Sequence, residues 1–202
     1  MLAGLGVGLS AVAGAALLRQ QNLQEADARR AAAALAALQD VCIVAPTTPY
    51  DAASGLPVAA PRVVPPEARC PVCGMFPARF PLWAAQLIYD TGDVHFFDSP
   101  LSLFKYLNAR ALHAQERFGP RVLAAYVTDT AGGGWTAAQD AAYVAGSSLL
   151  GPMRNGNFPA FSTPGAAERF AQQRGGRRLN ARALADHVRA TGIHTPVHMH
   201  PA

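Results

Sequence analysis

Sulfur, lysine and aromatic side chains are all scarce in this chain. Its 202 residues include three cysteines and four methionines, and aromatic residues make up 8% of the sequence. A second C-x-x-C pair is missing, which excludes a complete zinc ribbon. Lys105 is the single lysine, so the net charge of +4 comes mainly from scattered arginines. The arginines form no dense basic stripe with interleaved aromatics, and we therefore expect no nucleic-acid partner.

The residue patterns of common enzyme sites are missing as well. The sequence shows no triad built around a nucleophile, no general base in a recognisable setting and no phosphate-binding loop. Half of the residues are hydrophobic, enough for one compact domain or two small ones. Alanine and glycine supply much of this fraction, so the core should be modest. We expect a binding protein that catalyses no reaction.

The sulfur that is present is concentrated in residues 70–75, which read CPVCGM. Cys70, Cys73 and Met75 offer two thiolates and one thioether, and soft ligands of this kind select a soft metal such as Cu(I). The C-x-x-C spacing lets both thiolates reach one ion, and Gly74 can adopt the positive φ that turns the chain back over it. If the chain is extended after Gly74, Cys73 and Met75 point to the same side. The segment therefore predicts a Cu(I) site.

Zinc, a disulfide and redox chemistry are alternative explanations of the same cysteine pair. A thioether is a good Cu(I) ligand and a poor zinc ligand, so Met75 favours copper. Pro71, Pro77 and Pro81 disfavour a helix directly after the motif. Their presence argues against a thioredoxin-like site, in which a helix N-terminus activates the first thiolate. Structural zinc and a disulfide stay open, because disulfides persist outside the cytoplasm.

The first 18 residues carry no charged side chain, and this apolar run stops at Arg19. About 20 apolar residues at ~1.5 Å rise cross the ~30 Å hydrocarbon core of a bilayer. Residues 1–18 therefore predict a signal-anchor or transmembrane segment, which we expect to remain uncleaved. Arg19, Arg29 and Arg30 follow it, and the positive-inside rule would place the chain beyond them in the cytoplasm. The arginines after the apolar segment therefore favour a cytoplasmic location, which conflicts with export of the protein.

Two segments connect this anchor to the folded part. Residues 19–40 are rich in alanine, leucine, arginine and glutamate and have no glycine or proline, which predicts a helical stalk. Residues 41–66 collect prolines with small and polar residues, which predicts a linker. Cys42 lies in this linker, and we interpret it as a spare thiol or an intermolecular contact.

Strand, turn and helix signals follow the motif in a regular order. Residues 84–89 and 94–97 predict the two strands of a hairpin around the turn at 91–93. Asp98-Ser99-Pro100 then offers capping side chains and a proline for the first turn of a helix over 100–114. Residues 122–128 predict a further strand. This gives a first ββαβ unit.

The second half repeats this plan. Residues 141–147 predict a strand, and Phe161-Ser162-Thr163-Pro164 matches Phe97-Asp98-Ser99-Pro100 as a strand end, a polar cap and a proline. Gly175-Gly176 ends the second helix, as glycines do at helix C-termini. We therefore predict an α+β fold with a tandem ββαβ repeat. Its units span residues 67–130, with the metal motif, and residues 131–190, and a tail follows at residues 191–202.

Taken together, these residues resemble the nitrous oxide reductase accessory protein family, NosL. The resemblance covers about residues 67–180 and rests on C-x-x-C-G-M at 70–75, Phe96-Phe97-Asp98, Gly151-Pro152-Met153, Ala160-Phe161 and the helix at 166–176 with its Gly-Gly end. It implies a tandem ββαβ fold topologically related to an organomercurial lyase. It also implies Cu(I) binding in the periplasm and delivery of copper to the reductase that converts nitrous oxide to dinitrogen, with an ABC-type maturation complex as partner. With the predicted anchor, the expected location is the periplasmic face of the inner membrane.

Family members are usually lipoproteins, but Gln39-Asp40-Val41 before Cys42 lacks the small residues of a lipobox. The apolar segment 1–18 therefore replaces the lipid anchor in our interpretation. Met153 stands at a matching family position and is a candidate copper ligand, although methionine also fills gaps in cores. The tail carries further candidate ligands, His198, Met199 and His200, although chain termini are commonly disordered.

Cys73 and Met75 are the predicted principal Cu(I) ligands, Cys70 joins them, and Met153 or a tail histidine supplies a labile position. Two rival functions remain open. A structural zinc module for protein interaction needs only the cysteines and additional ligands. An organomercurial-lyase-like enzyme needs an acid to protonate carbon, and Asp98 is the nearby candidate. Among the remaining histidines, we expect His95 on a half-exposed strand face and His187 exposed on a final helix.

Overall fold

The computed structural model describes residues 19–21, 23–25, 45–112, 120–154 and 158–191. The chain divides into two compact units, Met1–Gln39 and Asp40–Ala202. In the first unit, residues 19–21 and 23–25 are helical and belong to the predicted stalk. The predicted anchor at residues 1–18 and Cys42 lie outside the described residues. Across the described ranges, no helix is both long enough and apolar enough to cross a membrane.

The first sheet follows the metal motif directly. Its strands are β1 (Ala85–Tyr89), β2 (Val94–Phe97), β3 (Val122–Thr128) and β4 (Trp135–Ala137), and helix α1 (Pro100–Leu112) connects β2 to β3. The strand order is β2-β1-β3-β4, and each neighbouring pair is antiparallel. Gly92 takes a φ of 87° in the hairpin turn between β1 and β2, as the Thr-Gly-Asp sequence predicts. The predicted hairpin and the strand over 122–128 are confirmed.

The second sheet repeats the order of elements. It contains β5 (Ala142–Ala145), β6 (Ala160–Phe161) and β7 (Arg177–Asn180), helix α2 (Pro164–Arg174) connects β6 to β7, and α3 (Ala181–Thr191) follows. The strand order is β6-β5-β7, again antiparallel. In each unit the first strand is therefore flanked by the other two, as in the predicted ββαβ repeat. The α+β class is confirmed.

A single large core cluster contains residues from both sheets and from α1 and α3. Its fully buried members include Leu87 and Phe97 from the first sheet, Leu103 from α1, Tyr143 from β5 and Leu184 from α3. Cys70 and Val72 of the metal motif belong to this same cluster. The motif is thus anchored in the core through Cys70 and Val72.

The segment predicted as a linker packs on the first sheet. Thr48 pairs with Val94 of β2 through two backbone hydrogen bonds of 2.8 and 2.9 Å. The buried Gln86 side chain accepts a hydrogen bond from the Arg62 backbone N–H at 2.8 Å and donates to its carbonyl at 3.0 Å. A proline-rich chain cannot form a regular ladder, because proline has no backbone N–H. Side-chain bonds such as those of Gln86 attach residues 45–66 instead.

The two sheets meet at the end of β3. Asp129 forms a parallel bridge with Ala160 of β6, and Thr130 donates its backbone N–H to the Ala160 carbonyl at 2.8 Å. The Ser162 hydroxyl donates to the Asp129 carboxylate at 2.6 Å. Strand β4 pairs with β3 and so belongs to the first sheet, although its residues fall in the second predicted unit. The chain turns back at Gly133 before it passes to the second sheet.

His95 is buried, so the expected half-exposed position is wrong. His95 is 6% exposed, because its ring lies on the face of β2 that α1 covers. Its ring lies 5.7 Å from that of Tyr89, 6.4 Å from Phe97 and 5.3 Å from Tyr106. Burial lowers the pKa of His95 to about 4, and the Arg110 charge acts in the same direction, while Asp93 opposes it. His95 is therefore neutral at physiological pH.

This burial predicts a loss of stability in mild acid. The unfolded chain binds a proton at the ordinary histidine pKa of ~6.5, whereas the folded chain resists protonation down to about pH 4. Stability contributed by neutral His95 is present above the unfolded pKa and falls through this window, by up to about 3 kcal/mol. Urea unfolding from neutral pH down to about pH 4 should show this slope in the parent.

The variant His95→Phe should flatten the slope, and His187→Phe serves as the matched control that retains it. Carboxylates titrate in the same range, but they do so in both variants, so the difference between them isolates His95. An unchanged slope in His95→Phe would show that this burial does not control the acid sensitivity.

Candidate metal centre

The metal motif forms a closed loop held by its own backbone. The Gly74 N–H donates to the Cys70 carbonyl at 2.8 Å, and the Cys70 N–H donates to the Met75 carbonyl at 2.8 Å. Gly74 has a φ of 72°, so the predicted positive-φ turn is confirmed. These two bonds fix the separation of the cysteines before any ligand binds.

The side chains of three potential metal ligands, two from this loop and one from the end of β2, lie close together. One donor atom from each of Cys70, Cys73 and Asp98 lies within 4.8 Å of the others. The Cys73 thiol donates to the Asp98 Oδ1 at 3.2 Å. Both cysteines are free thiols, so the disulfide alternative is not the state described here. Cys70 and Asp98 are fully buried, whereas Cys73 is half-buried and Gly74 is exposed. The cluster is therefore open to solvent on the Cys73 side.

Asp98 reaches the cysteines because a different residue caps helix α1. The Ser99 hydroxyl accepts the backbone N–H of Ser102 at 3.4 Å, which satisfies one of the free donors of the first turn. Asp98 lies between this cap and the end of β2, and its side chain is directed to Cys73. The sequence indicated Asp98 as a capping side chain and as an acid for the lyase alternative, so its position beside both thiols was missed as a candidate ligand position.

The second carboxylate oxygen of Asp98 has no hydrogen-bond partner in the described part of the chain, although it is buried. An unsatisfied buried carboxylate oxygen costs free energy, so such atoms in native proteins call for an ion, a water or a functional role. A cation between the carboxylate and the two sulfurs would satisfy this oxygen. The donor set therefore fits a metal ion, with two soft sulfur ligands and one hard oxygen.

The electrostatics of the loop keep Cys70 protonated until a cation arrives. Burial raises the pKa of the Cys70 thiol well above its ordinary value. The hydrogen bond with Cys73 and the negative charge of Asp98 act in the same direction. A metal ion must displace this proton to bind the thiolate, so metal affinity should increase with pH.

The remaining predicted ligands are only partly placed. Met75 is half-buried and joins the loop through its carbonyl, and its role as a ligand remains a prediction. Met153 is half-buried in the turn 151–154, where the Arg154 N–H donates to the Gly151 carbonyl at 3.0 Å. Its role also remains a prediction. The tail ligands His198, Met199 and His200 lie outside the described residues.

Comparison with known proteins identifies similarity over most of this unit. The model of the NosL family matches residues 61–188. A solved structure, the crystal structure of the copper chaperone NosL from Shewanella denitrificans, is similar with a TM-score of 0.53 and 26% sequence identity. The match covers 61% of this chain and 94% of that chain. No curated protein sequence matches significantly.

Gly74 should be required for the shape of the loop. A Cβ added at Gly74 would meet no atom within 4 Å, so Gly74→Ala introduces only the strain of a left-handed backbone. We expect a loss of about 1 to 2 kcal/mol of unfolding free energy, measured in urea. Gly134→Ala is the matched control, because that site is equally open and its φ is not in the positive region. Equal effects of the two substitutions would contradict the strained turn.

Proposed function

The chain belongs to the NosL family, and on this premise we propose that it is a copper-binding accessory protein that takes up Cu(I) through Cys70 and Cys73. The convergence of these two thiols with Asp98 inside a preformed loop carries the proposal. The loop lies within residues 61–188, which the family model matches, and the similar solved structure is described as a copper chaperone. Family membership and this neighbour support a copper-binding accessory role and indicate a protein that is not an enzyme.

Cu(I) is the cargo that best fits the two sulfurs. Soft thiolates prefer Cu(I), and the thioether of Met75, immediately after Gly74, adds a third soft donor in our proposal. Cys70 is the deep ligand, because it is buried in the core cluster. Cys73 is the accessible ligand, because its side chain is half-buried beside exposed Gly74. Met153 or a histidine of the tail would complete the coordination at a labile position.

Release of copper then follows from the difference between the two cysteines. An incoming thiolate or thioether can approach the ion from the Cys73 side, while Cys70 continues to hold it. The ion passes through an intermediate that shares ligands between donor and acceptor. As Cys73 leaves the ion it regains a proton, and the Asp98 oxygen 3.2 Å away is the acceptor for the resulting thiol hydrogen bond.

We further propose the setting implied by the family. The acceptor is an apo copper enzyme of the nitrous oxide reductase type, served together with an ABC-type maturation complex. The protein works in the periplasm, and residues 1–18 hold it at the inner membrane. Those residues have no charged side chain and lie ahead of the compact unit Asp40–Ala202, which carries the motif.

Asp98 favours one second candidate, the structural zinc module. A carboxylate oxygen beside two thiolates is a donor set that zinc accepts. The same carboxylate meets the requirement of the organomercurial-lyase-like alternative for an acid near the cysteines. Family membership and the chaperone neighbour indicate a non-enzymatic protein instead. The metal preference of the protein and the effect of an Asp98 substitution can therefore distinguish these three functions.

Loss of Cys73 should abolish tight Cu(I) binding, and loss of Met75 should weaken it. A chain starting at Asp40, where the second compact unit begins, would be titrated with Cu(I) without oxygen and against a competing chelator. We expect one ion per chain, and a loss of affinity in Cys73→Ser that exceeds the ~10- to 100-fold effect of residues that merely orient a ligand. Met75→Leu should weaken binding as well, whereas Cys42→Ser is a matched control without effect. Binding that ignores Cys73 would refute the assignment.

Asp98→Asn should separate copper from zinc. The substitution keeps the shape of the side chain but replaces a hard anionic ligand with a neutral amide, so Zn(II) should lose about 10- to 100-fold in affinity. Cu(I) affinity should change much less, because the sulfurs bind it. Competition titrations with both ions measure this difference, and Asp93→Asn is the control. Zinc bound at unit stoichiometry and resistant to Cu(I) would favour the structural module, and cleavage of an organomercurial by the parent would favour the enzyme.

A further inference from the structure

Two arginines stack on one aromatic ring at the edge of the metal loop. Arg69 directly precedes Cys70, Phe76 directly follows Met75, and Arg79 ends the short helical turn Pro77–Arg79. The Arg69 Cζ lies 4.1 Å from the centroid of the Phe76 ring, and the Arg79 Cζ lies 4.6 Å from it. The metal loop thus carries two cationic groups on its flanks, and we call Arg69, Phe76 and Arg79 the cationic rim.

A side-chain hydrogen bond, in addition to sequence proximity, attaches the rim to the loop. An Arg69 guanidinium N–H donates to the Gly74 carbonyl at 3.2 Å, so one cation is tied to the turn that exposes Cys73. Cation–π stacking adds about 0.5 to 1 kcal/mol at exposed sites. These contacts hold the guanidinium groups in place before a partner arrives, which lowers the entropic cost of binding.

No ion pair among the described residues neutralises the charges of the rim. Arg69 and Arg79 are both exposed. Neither forms an ion pair within the described ranges, where the pairs are Arg121–Asp90, Arg178–Glu168 and Arg189–Asp186. The Asp98 carboxylate is fully buried and accepts its hydrogen bond from Cys73. Within the described part of the chain, the two guanidinium groups of the rim are therefore exposed and have no carboxylate partner.

Stacking on one ring also brings the two cations close together. Their distances to the shared centroid keep them nearer to each other than the ~10 Å Debye length at 0.1 M salt. Like charges at this spacing repel, and an anionic group lying against both would relieve this repulsion. Planar guanidinium groups bind carboxylates in a bidentate manner, which gives orientation as well as attraction.

We propose that the cationic rim docks an acidic protein surface beside the metal loop, so that the copper donor or acceptor presents carboxylates around its own exchange ligands. This inference rests on the proposed function. Complementary charge at this position would speed encounter and orient the partner toward Cys73. Docking at the rim would place the incoming ligand on the side of the loop where Gly74 is exposed.

A pair of synthetic peptides tests the docking directly. Both carry Cys-x-x-Cys, one flanked by glutamates and the other by glutamines at the same positions. Fluorescence anisotropy would measure their binding to the metal-free protein, and stopped-flow mixing would measure Cu(I) transfer from the loaded protein. Because the first measurement needs no copper, a failure of docking can be distinguished from a failure of copper binding.

The double variant Arg69→Gln/Arg79→Gln should bind the glutamate peptide roughly 5- to 10-fold more weakly than the parent at low salt. Its binding of the glutamine peptide and its equilibrium affinity for Cu(I) should not change. Arg178→Gln/Arg189→Gln is the control, since it removes the same charge from residues outside the rim. Phe76→Leu should give an intermediate loss, because it keeps both charges but removes the ring that positions them.

Equal binding of the two peptides by the parent would overturn the proposal, as would equal losses in the two double variants. The last measurement is binding of the protein to vesicles of phosphatidylglycerol and phosphatidylcholine. If the rim substitutions release the protein from these vesicles without weakening the glutamate peptide, the rim binds an anionic membrane surface and the protein-docking proposal is wrong.

Discussion

The candidate metal centre of this protein depends on one buried carboxylate, that of Asp98. The side chain is fully enclosed, with one oxygen bonded to Cys73 and the other without a partner in the described part of the chain. Its position directly after β2 brings the carboxylate against Cys70 and Cys73, and Cys70 belongs to the core cluster. Since an uncompensated buried carboxylate is costly, a cation bound beside Cys70 and Cys73 would satisfy the free oxygen of Asp98.

The two ββαβ units use the same position for different purposes. In the first unit, the residue after the Phe97 strand end is Asp98, which faces the cysteines. In the second unit, the corresponding residue after Phe161 is Ser162, whose hydroxyl donates to Asp129 at 2.6 Å and joins the two sheets. Each helix is capped one residue later, by Ser99 and by Thr163. A repeated local design therefore provides one candidate ligand position and one structural link.

Sequence patterns predict the parts of this fold that local chemistry determines. The hairpin, the strand over 122–128 and the positive φ at Gly74 all follow from turn residues and alternation. The burial of His95 does not, because it depends on how α1 packs against β2 and brings Tyr106 against the imidazole ring. Asp98 lies 25 residues from Cys73, and only the packing of β2 and α1 brings them together. The proline-rich segment has no periodicity that could reveal its contacts with Gln86.

A copper carrier must hold its ion firmly and still release it, and the asymmetry of the cysteine pair addresses both needs. Cys70 lies in the hydrophobic core, where water and competing ligands have little access. Cys73 lies beside exposed Gly74, where exchange by an incoming ligand is geometrically open. If both sulfurs were buried, release would require the loop to open against its two backbone bonds. If both were exposed, competing ligands would remove the ion. In the proposed transfer, the partner therefore replaces Cys73 first, and Cys70 releases the ion only after the acceptor already holds it.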